Sequence, residues 1–260
     1  MMSSSRSAPL LLALAAAGCT LAAGQHPGVV SAPTAQAPAG EPAAPPFALR
    51  PYLWAAGVSG DVGADSDGGS DITADFDNLL DHLDGGLLLA SEARIDEDMV
   101  LLGDFVWLSL EGDDTSPVGT PVRGDLDVIE AQLALAYPVA RGGGMDVDLV
   151  AGLRLFGLEA RLASGAIDAE SSETLLDPLI GLRGNVPLAE HWHLTLYADV
   201  GGFRAGTELS YQLAAIVDHA ITDRIAVGLG YRLLGLDVEE EHLDLDVAIG
   251  GPLLGFAFRF

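Results

Sequence analysis

From Phe47 onward the chain repeats one arrangement: segments of about ten or more residues with apolar residues at every second position, separated by clusters of Gly, Asp and Pro. Successive side chains of a strand point to opposite faces, so this alternation predicts β-strands with one apolar face. Ten segments are marked out, approximately Ala48 to Gly60, Gly86 to Asp96, Met99 to Glu111, Asp125 to Pro138, Asp146 to Arg161, Leu176 to Pro187, His193 to Phe203, Glu208 to Ala220, Arg224 to Leu236 and His242 to Phe260. Leu133, Leu135 and Tyr137 alternate with Gln132, Ala134 and Ala136. Leu194, Leu196, Ala198 and Val200 alternate in the same way with His193, Thr195, Tyr197 and Asp199. One stretch breaks the period: in Thr73 to Leu83, Phe76, Leu79, Leu80 and Leu83 fall at helical spacing, and Thr73 or Asp75 could cap a short amphipathic helix.

The connections alternate in length. Short ones fall at Asp96-Glu97-Asp98, Arg141-Gly142-Gly143-Gly144, Ala189-Glu190-His191 and Thr222-Asp223; longer ones fall at Asp61 to Gly85, Gly112 to Gly124, Ala163 to Leu175, Gly201 to Thr207 and Asp237 to Glu241. Short turns at one end and long loops at the other are the pattern of an antiparallel up-and-down barrel in an outer membrane. Strands of roughly ten residues cross a bilayer when tilted. The expected fold is an all-β, ten-stranded transmembrane barrel over 47–260, with eight strands as the fallback and a short helix in the first outer loop. An even strand count leaves both termini in the periplasm.

The last strand carries Phe256, Phe258 and Phe260 on one parity, a stripe suited to lipid. Val247 and Ile249 have the opposite parity, so a bulge is expected at Gly250-Gly251-Pro252, confining the stripe to the periplasmic half of the strand.

Charge and hydropathy sharpen this. The net charge is −26, yet mean hydropathy is positive. An acidic soluble chain should be hydrophilic and a disordered one poor in Leu, Val and Ala; a barrel resolves the conflict by facing apolar residues to lipid and acids to lumen and loops. All 12 basic residues are arginines. No basic patch or nucleic-acid motif is present, so nucleic acid is not an expected partner. Beyond the first two dozen residues no apolar run of about eighteen exists for a helical span. Met1 to Arg6 followed by the apolar Ala8 to Ala17 reads as a secretory signal. Two cleavage readings stand side by side: an ordinary site giving a 1–24 signal peptide, or a lipobox at Ala16-Ala17-Gly18-Cys19 giving a 1–18 signal with Cys19 lipidated. Residues 25–46 are rich in Pro and Ala and read as a disordered linker. A single cysteine excludes an intramolecular disulfide.

If the apolar parity faces lipid, Glu92, Arg94, Glu130, Gln132, Arg154, Arg183, Asp199, Gln212 and Arg232 face the lumen as an interleaved charge network. An arginine on the lipid face near the midplane costs about 2–4 kcal/mol, which favours that orientation. The network either fills a narrow barrel or lines a small passage. In the first loop, Asp65, Asp67 and Asp71 resemble part of a calcium loop without its closing Glu. A solvated acidic loop is the plainer reading, and a cation bridge to lipopolysaccharide phosphates the sharper one. His191-Trp192-His193 lacks a third ligand for a metal, and Trp192 reads as an interfacial anchor. No catalytic constellation emerges and no cofactor is implied.

The runs PYLWAAGVSGDVG from Pro51, DFDNLLDHLDGGLLLASEAR from Asp75, DPLIGLRGNVPLAEHWHLTLYADVGGF from Asp177 and the terminal GPLLGFAFRF resemble a widespread group of uncharacterised proteobacterial outer-membrane β-barrel proteins, and more distantly small barrels of the OmpW and OmpA type. The resemblance implies the fold and the outer membrane, with no established activity. The terminal strand is similar to the signal read by the barrel assembly machinery, with Gly255, Phe256, Phe258 and Phe260 as its residues and Leu253 where a polar residue is common. Omptin-type proteases also use ten strands, but their acid and histidine motifs are not found in this sequence. The expected function is a non-enzymatic integral outer-membrane barrel, structural or a narrow passage for small solutes. Its expected partners are outer-membrane lipid, lipopolysaccharide and, during biogenesis, the assembly machinery; its oligomeric state is open. The alternatives are an outer-membrane enzyme acting on lipid or peptide at the outer rim, and a soluble lipocalin-like barrel binding an apolar ligand.

Overall fold

The computed structural model describes residues 47–63, 70–115, 121–164, 167–240 and 243–260. The segments read as signal and linker, Cys19, Asp65 and Asp67 lie outside the described residues. Twelve strands form one antiparallel sheet that closes on itself: β1 (Phe47–Trp54), β2 (Gly57–Gly63), β3 (Ser70–Ala74), β4 (Leu83–Arg94), β5 (Val100–Thr115), β6 (Pro121–Ala140), β7 (Asp146–Ser164), β8 (Ile167–Ala189), β9 (Trp192–Gly202), β10 (Leu209–Ala220), β11 (Ile225–Glu240) and β12 (Leu243–Arg259). The short helix α1 (Phe76–Asp81) stands between β3 and β4. Ten strands make the wall, because β1 and β2 are halves of the first wall strand and β3 and β4 halves of the second. Trp54↔Leu253 and Gly57↔Gly250 keep one register with β12 across the break at Ala55 and Ala56. Pairing of β1 and β2 with β12 closes the sheet into a barrel, the form in which β-structure persists in hydrocarbon.

The short connections stand as expected, three of the four with a local cause. Asp96 Oδ1 accepts from the backbone N–H groups of Asp98 and Met99, and Thr222 Oγ1 accepts from those of Arg224 and Ile225. In the β6–β7 turn, Gly142, Gly143 and Gly144 all hold positive φ, which side chains with a Cβ resist. Phe47 and Phe260 meet at this same end, where the Phe260 N–H donates to the Phe47 carbonyl at 2.9 Å.

Three expectations are corrected. Most of the segments read as long loops are strand: β5 and β6 pair out to Thr115↔Pro121, β7 and β8 to Ser164↔Ile167, and β11 and β12 to Glu240↔Leu243. At 23 residues, β8 is about twice what a bilayer crossing requires. Acidic and small residues masked the continuation, because these hairpin ends carry little of the apolar alternation that marks the other strands.

The bulge at Gly250-Gly251-Pro252 does not exist. β12 pairs with β11 without a register shift from Leu243 to Phe258. Of its odd positions, Val247, Gly251, Leu253, Gly255 and Ala257 are buried and Ile249 is half-buried, while Pro252, Leu254, Phe256, Phe258 and Phe260 are exposed. Val247 is therefore an inward residue, and the outward stripe is longer than expected. The helix is also shorter than its apolar spacing suggested: Thr73 belongs to β3, and Asp75 holds the N-cap position without a side-chain bond.

Alternation along the other strands assigns the two faces. Leu133, Leu135, Tyr137, Leu149, Leu153, Ile180, Leu182, Leu213, Leu229 and Tyr231 are exposed. Their neighbours Glu130, Gln132, Ala134, Ala136, Asp148, Val150, Arg154, Arg183 and Arg232 are buried. The exterior is apolar and the interior charged, the reverse of what a lipocalin-like barrel requires.

Candidate functional site in the barrel interior

Two guanidinium groups organise the middle of the interior. Arg154, on the inward face of β7, is fully buried. Its Nη2 donates to Asp199 Oδ2 at 2.6 Å, to Gln132 Oε1 at 2.6 Å and to Gln212 Oε1 at 3.3 Å, and its Nε lies 3.4 Å from Glu130 Oε1. Arg232, on β11, donates through Nη2 to Glu130 Oε2 and to Gln212 Oε1, both at 2.8 Å. Its Nη1 donates to the Tyr52 hydroxyl at 2.7 Å and to Asp104 Oδ2 at 3.2 Å. The Trp54 ring lies under this guanidinium, 4.9 Å from its central carbon. Tyr52 in turn donates to Asp104 Oδ1 at 2.7 Å, and Gln132 donates to the Tyr197 hydroxyl at 2.7 Å. Glu130 and Gln212 bind both arginines, so side chains from seven wall strands form one connected unit.

Smaller units flank it. Arg183 donates to Asp148 at 3.0 Å and lies 3.2 Å from Glu92, while Arg141 reaches the other Asp148 oxygen at 3.0 Å. Arg50 donates to Asp218 at 2.7 Å, in a space open because Gly228 has no Cβ. Asp177 is fully buried opposite Arg154 in the β7–β8 ladder and makes no ion pair among the described residues; it accepts from the Thr207 N–H at 2.8 Å and from the hydroxyls of Thr207 and Ser210, both at 2.7 Å. These bonds clamp the β9–β10 connection, where Phe203 and Arg204 hold left-handed φ of 50° and 63°.

Of the residues expected to face the lumen, Glu92, Glu130, Gln132, Arg154, Arg183, Asp199, Gln212 and Arg232 take part in these contacts. Arg94 does not. It is exposed at the end of β4 and makes no ion pair among the described residues. Parity alone placed it inside, and its position at a strand end carries it past the enclosed region. Sequence reasoning missed Tyr52, Asp104, Asp148, Asp177, Tyr197 and the Arg50–Asp218 pair. Asp104 was hidden because it shares parity with the apolar Leu102 and Val106, a set that the parity rule turns to lipid and that the structure buries. Asp71 pairs through its backbone with Asp61 in the β2–β3 hairpin. Trp192 is exposed beside His219, with ring centroids 4.4 Å apart, and the His191 ring lies 6.4 Å from that of His219.

No protein-family model matches the chain, and no curated protein is significantly similar to it. Among solved structures, the outer membrane protease OmpT from Escherichia coli superimposes with a TM-score of 0.56 at 10% identity, over 83% of this chain and 97% of the other. This chain has the fold of an outer-membrane protein. Ail, the attachment invasion locus protein of Yersinia pestis, covers 83% of this chain and 99% of its own at 13% identity, with a TM-score of 0.37. The outer membrane protein OprG from Pseudomonas aeruginosa covers 84% and 97% at 10% identity, with a TM-score of 0.36. Identities this low speak for architecture alone.

Proposed function

We propose that the protein is an integral barrel of the bacterial outer membrane, with the hairpin ends outside and both termini in the periplasm, and that it is a sealed structural element without enzymatic activity. The observation that carries the reading is the connected Arg154–Glu130–Arg232 unit, whose members are each no more than 3% exposed. A water-filled passage would leave such side chains accessible. Two guanidinium groups pair with the carboxylates of Glu130, Asp104 and Asp199 and fill a narrow interior, as side chains in small barrels do, while Arg154 Nη1, Arg232 Nε and Asp199 Oδ1 make no hydrogen bond among the described residues. An outer-rim enzyme would need an acid and a histidine or serine converging there. His82, at the end of α1, instead directs its Nδ1 at the Asn78 carbonyl, 2.7 Å away.

Lipid and lipopolysaccharide are the partners of the apolar exterior. Gly255, Phe256, Phe258 and Phe260 serve as the assembly signal during biogenesis. The test is purified protein in planar bilayers together with fractionation of cells. No channel current and heat-modifiable migration in the outer-membrane fraction are expected; sustained current overturns the seal, and recovery from the soluble periplasm overturns the location.

A further inference from the structure

The wall is not equally closed all round. β1 pairs with β4 only from Phe47↔Ala93 to Pro51↔Leu89, and pairing between the first two wall strands resumes at Val58↔Ala74, in β2 and β3. Seven steps along the first wall strand correspond to fifteen along the second, and the excess is the excursion that contains α1. Among the described residues, no ladder joins Tyr52–Gly57 to Leu83–Leu88. Counted from Phe47, this break begins about five residues into a crossing of about ten, so it opens toward the outer leaflet. The outward side chains on its two sides, Leu53 and Leu87, are exposed at 71% and 47%.

Beside the Arg232 guanidinium that stacks on Trp54, the surface behind the break is apolar. Tyr52, Val106 and Leu253 are buried there against Trp54, Leu88, Ala90, Leu108 and Ile216. The stripe runs on along the inner face of β5 from Val106 through Leu108 to Leu110, and Leu110 borders an open depression of about 340 Å³ beside α1, lined by Ala74, Leu79 and Leu126 together with Asn78, His82 and Glu111. Clefts of roughly this size hold small ligands. An unpaired strand edge facing hydrocarbon is costly, which gives a break in the ladder weight as a feature.

The geometry points to a cleft for one acyl chain of a bilayer lipid, entering between Tyr52–Gly57 and Leu83–Leu88 and lying along Leu88, Leu108 and Leu110 toward the depression beside α1. The occupant follows from where the break opens: its outer lips stand in the apolar belt, so bilayer hydrocarbon is the phase in contact with it. The inference rests on the membrane insertion proposed above.

Tryptophan quenching by phosphatidylcholine brominated on its acyl chains tests it. Trp54 faces the interior beside the break, whereas Trp107 faces outward on β5 opposite Leu87. A Trp107→Phe/Trp192→Phe protein reports from Trp54 alone, and a Trp54→Phe/Trp192→Phe protein from Trp107 alone. A third reporter, Tyr197→Trp with all three native tryptophans replaced by Phe, sits on the inner face of β9, away from the break. In vesicles of brominated lipid, Trp54 is expected to lose fluorescence to an extent comparable with Trp107, and the Tyr197→Trp reporter to lose little. If Trp107 is quenched and Trp54 is not, or if Trp54 and the Tyr197→Trp reporter are quenched equally, the cleft is overturned while insertion stands. If Trp107 itself is not quenched, membrane insertion fails and the cleft fails with it. Should the Tyr197→Trp protein not fold, the Trp54 and Trp107 pair decides alone.

Discussion

The two sides of this barrel solve the problem of an enclosed interior differently. Along β6, β7 and β8 the ladders are long, from Val122↔Ser164 to Ala140↔Val147 and from Asp146↔Asn185 to Ser164↔Ile167, and the inner face carries Arg154, Arg183, Asp148 and Asp177. Along β1 and β4 the ladder is five residue pairs long, and the inner face beside the break is Trp54, Leu88 and Leu108. Where the backbone closes the wall, buried charges can be held, because fixed partners on neighbouring strands compensate each one. Where the backbone does not close it, apolar contacts hold the wall, since side-chain packing tolerates displacement that a buried ion pair does not.

The largest expected effect tests the charged side. Arg154→Ala leaves Asp199 buried without its cation and Glu130 with Arg232 alone, a loss of about 3–5 kcal/mol. In a denaturant titration of detergent-folded protein, the heat-modifiable form should disappear at much lower urea. A shift no larger than that of a surface substitution would show that the interior is hydrated and that the network is not its seal. Next comes the outward face of the same wall. Leu133 is 57% exposed, so Leu133→Arg should cost about 2–4 kcal/mol in a bilayer if it stands near the midplane, and little in a soluble protein. Equal stability of the variant and the parent in vesicles would contradict the assignment of the apolar face to lipid.

How much of this contrast the sequence disclosed depends on the range of the cause. Parity is local, so the ten wall strands and the inward set from Glu130 to Arg232 could be read from alternation. The terminal stripe from Phe256 to Phe260 could be read the same way. Pairing partners are not local. Glu130 bridges Arg154, 24 positions on, and Arg232, 102 positions on, and no spacing rule connects them. The break has the same character, since an eight-residue excess in one strand becomes visible only against the register of its neighbour. The supposed bulge at Gly250-Gly251-Pro252 failed for a related reason. It assumed that apolar residues point outward, whereas Val247 and Leu253 are apolar and inward.

A smaller effect tests the seam where the two regions meet. The Tyr52 hydroxyl accepts from Arg232 and donates to Asp104, tying the β1 side to the charged centre. Tyr52→Phe keeps the ring in the apolar cluster and removes the tie, leaving Asp104 Oδ1 without its donor. A loss of about 1–3 kcal/mol is expected in the same titration, with folding retained. No change would mean that the apolar contacts alone hold this edge.

The smallest expected effect isolates burial from charge. Arg123 lies on the β6 extension, binding Glu111 at 2.9 Å and Asp125 at 3.4 Å, with its side chain 54% exposed. It is the same residue type as Arg154, with carboxylate partners at similar distances and a place in the same sheet. Water solvates its partners when it is removed, so Arg123→Ala should cost less than about 1 kcal/mol. Raising salt should shrink even that difference, since exposed pairs are screened and enclosed ones much less so. If Arg123→Ala and Arg154→Ala shift the unfolding midpoint alike, the number of ion pairs matters more than their enclosure, and the contrast between the sealed wall and the open seam loses its physical basis.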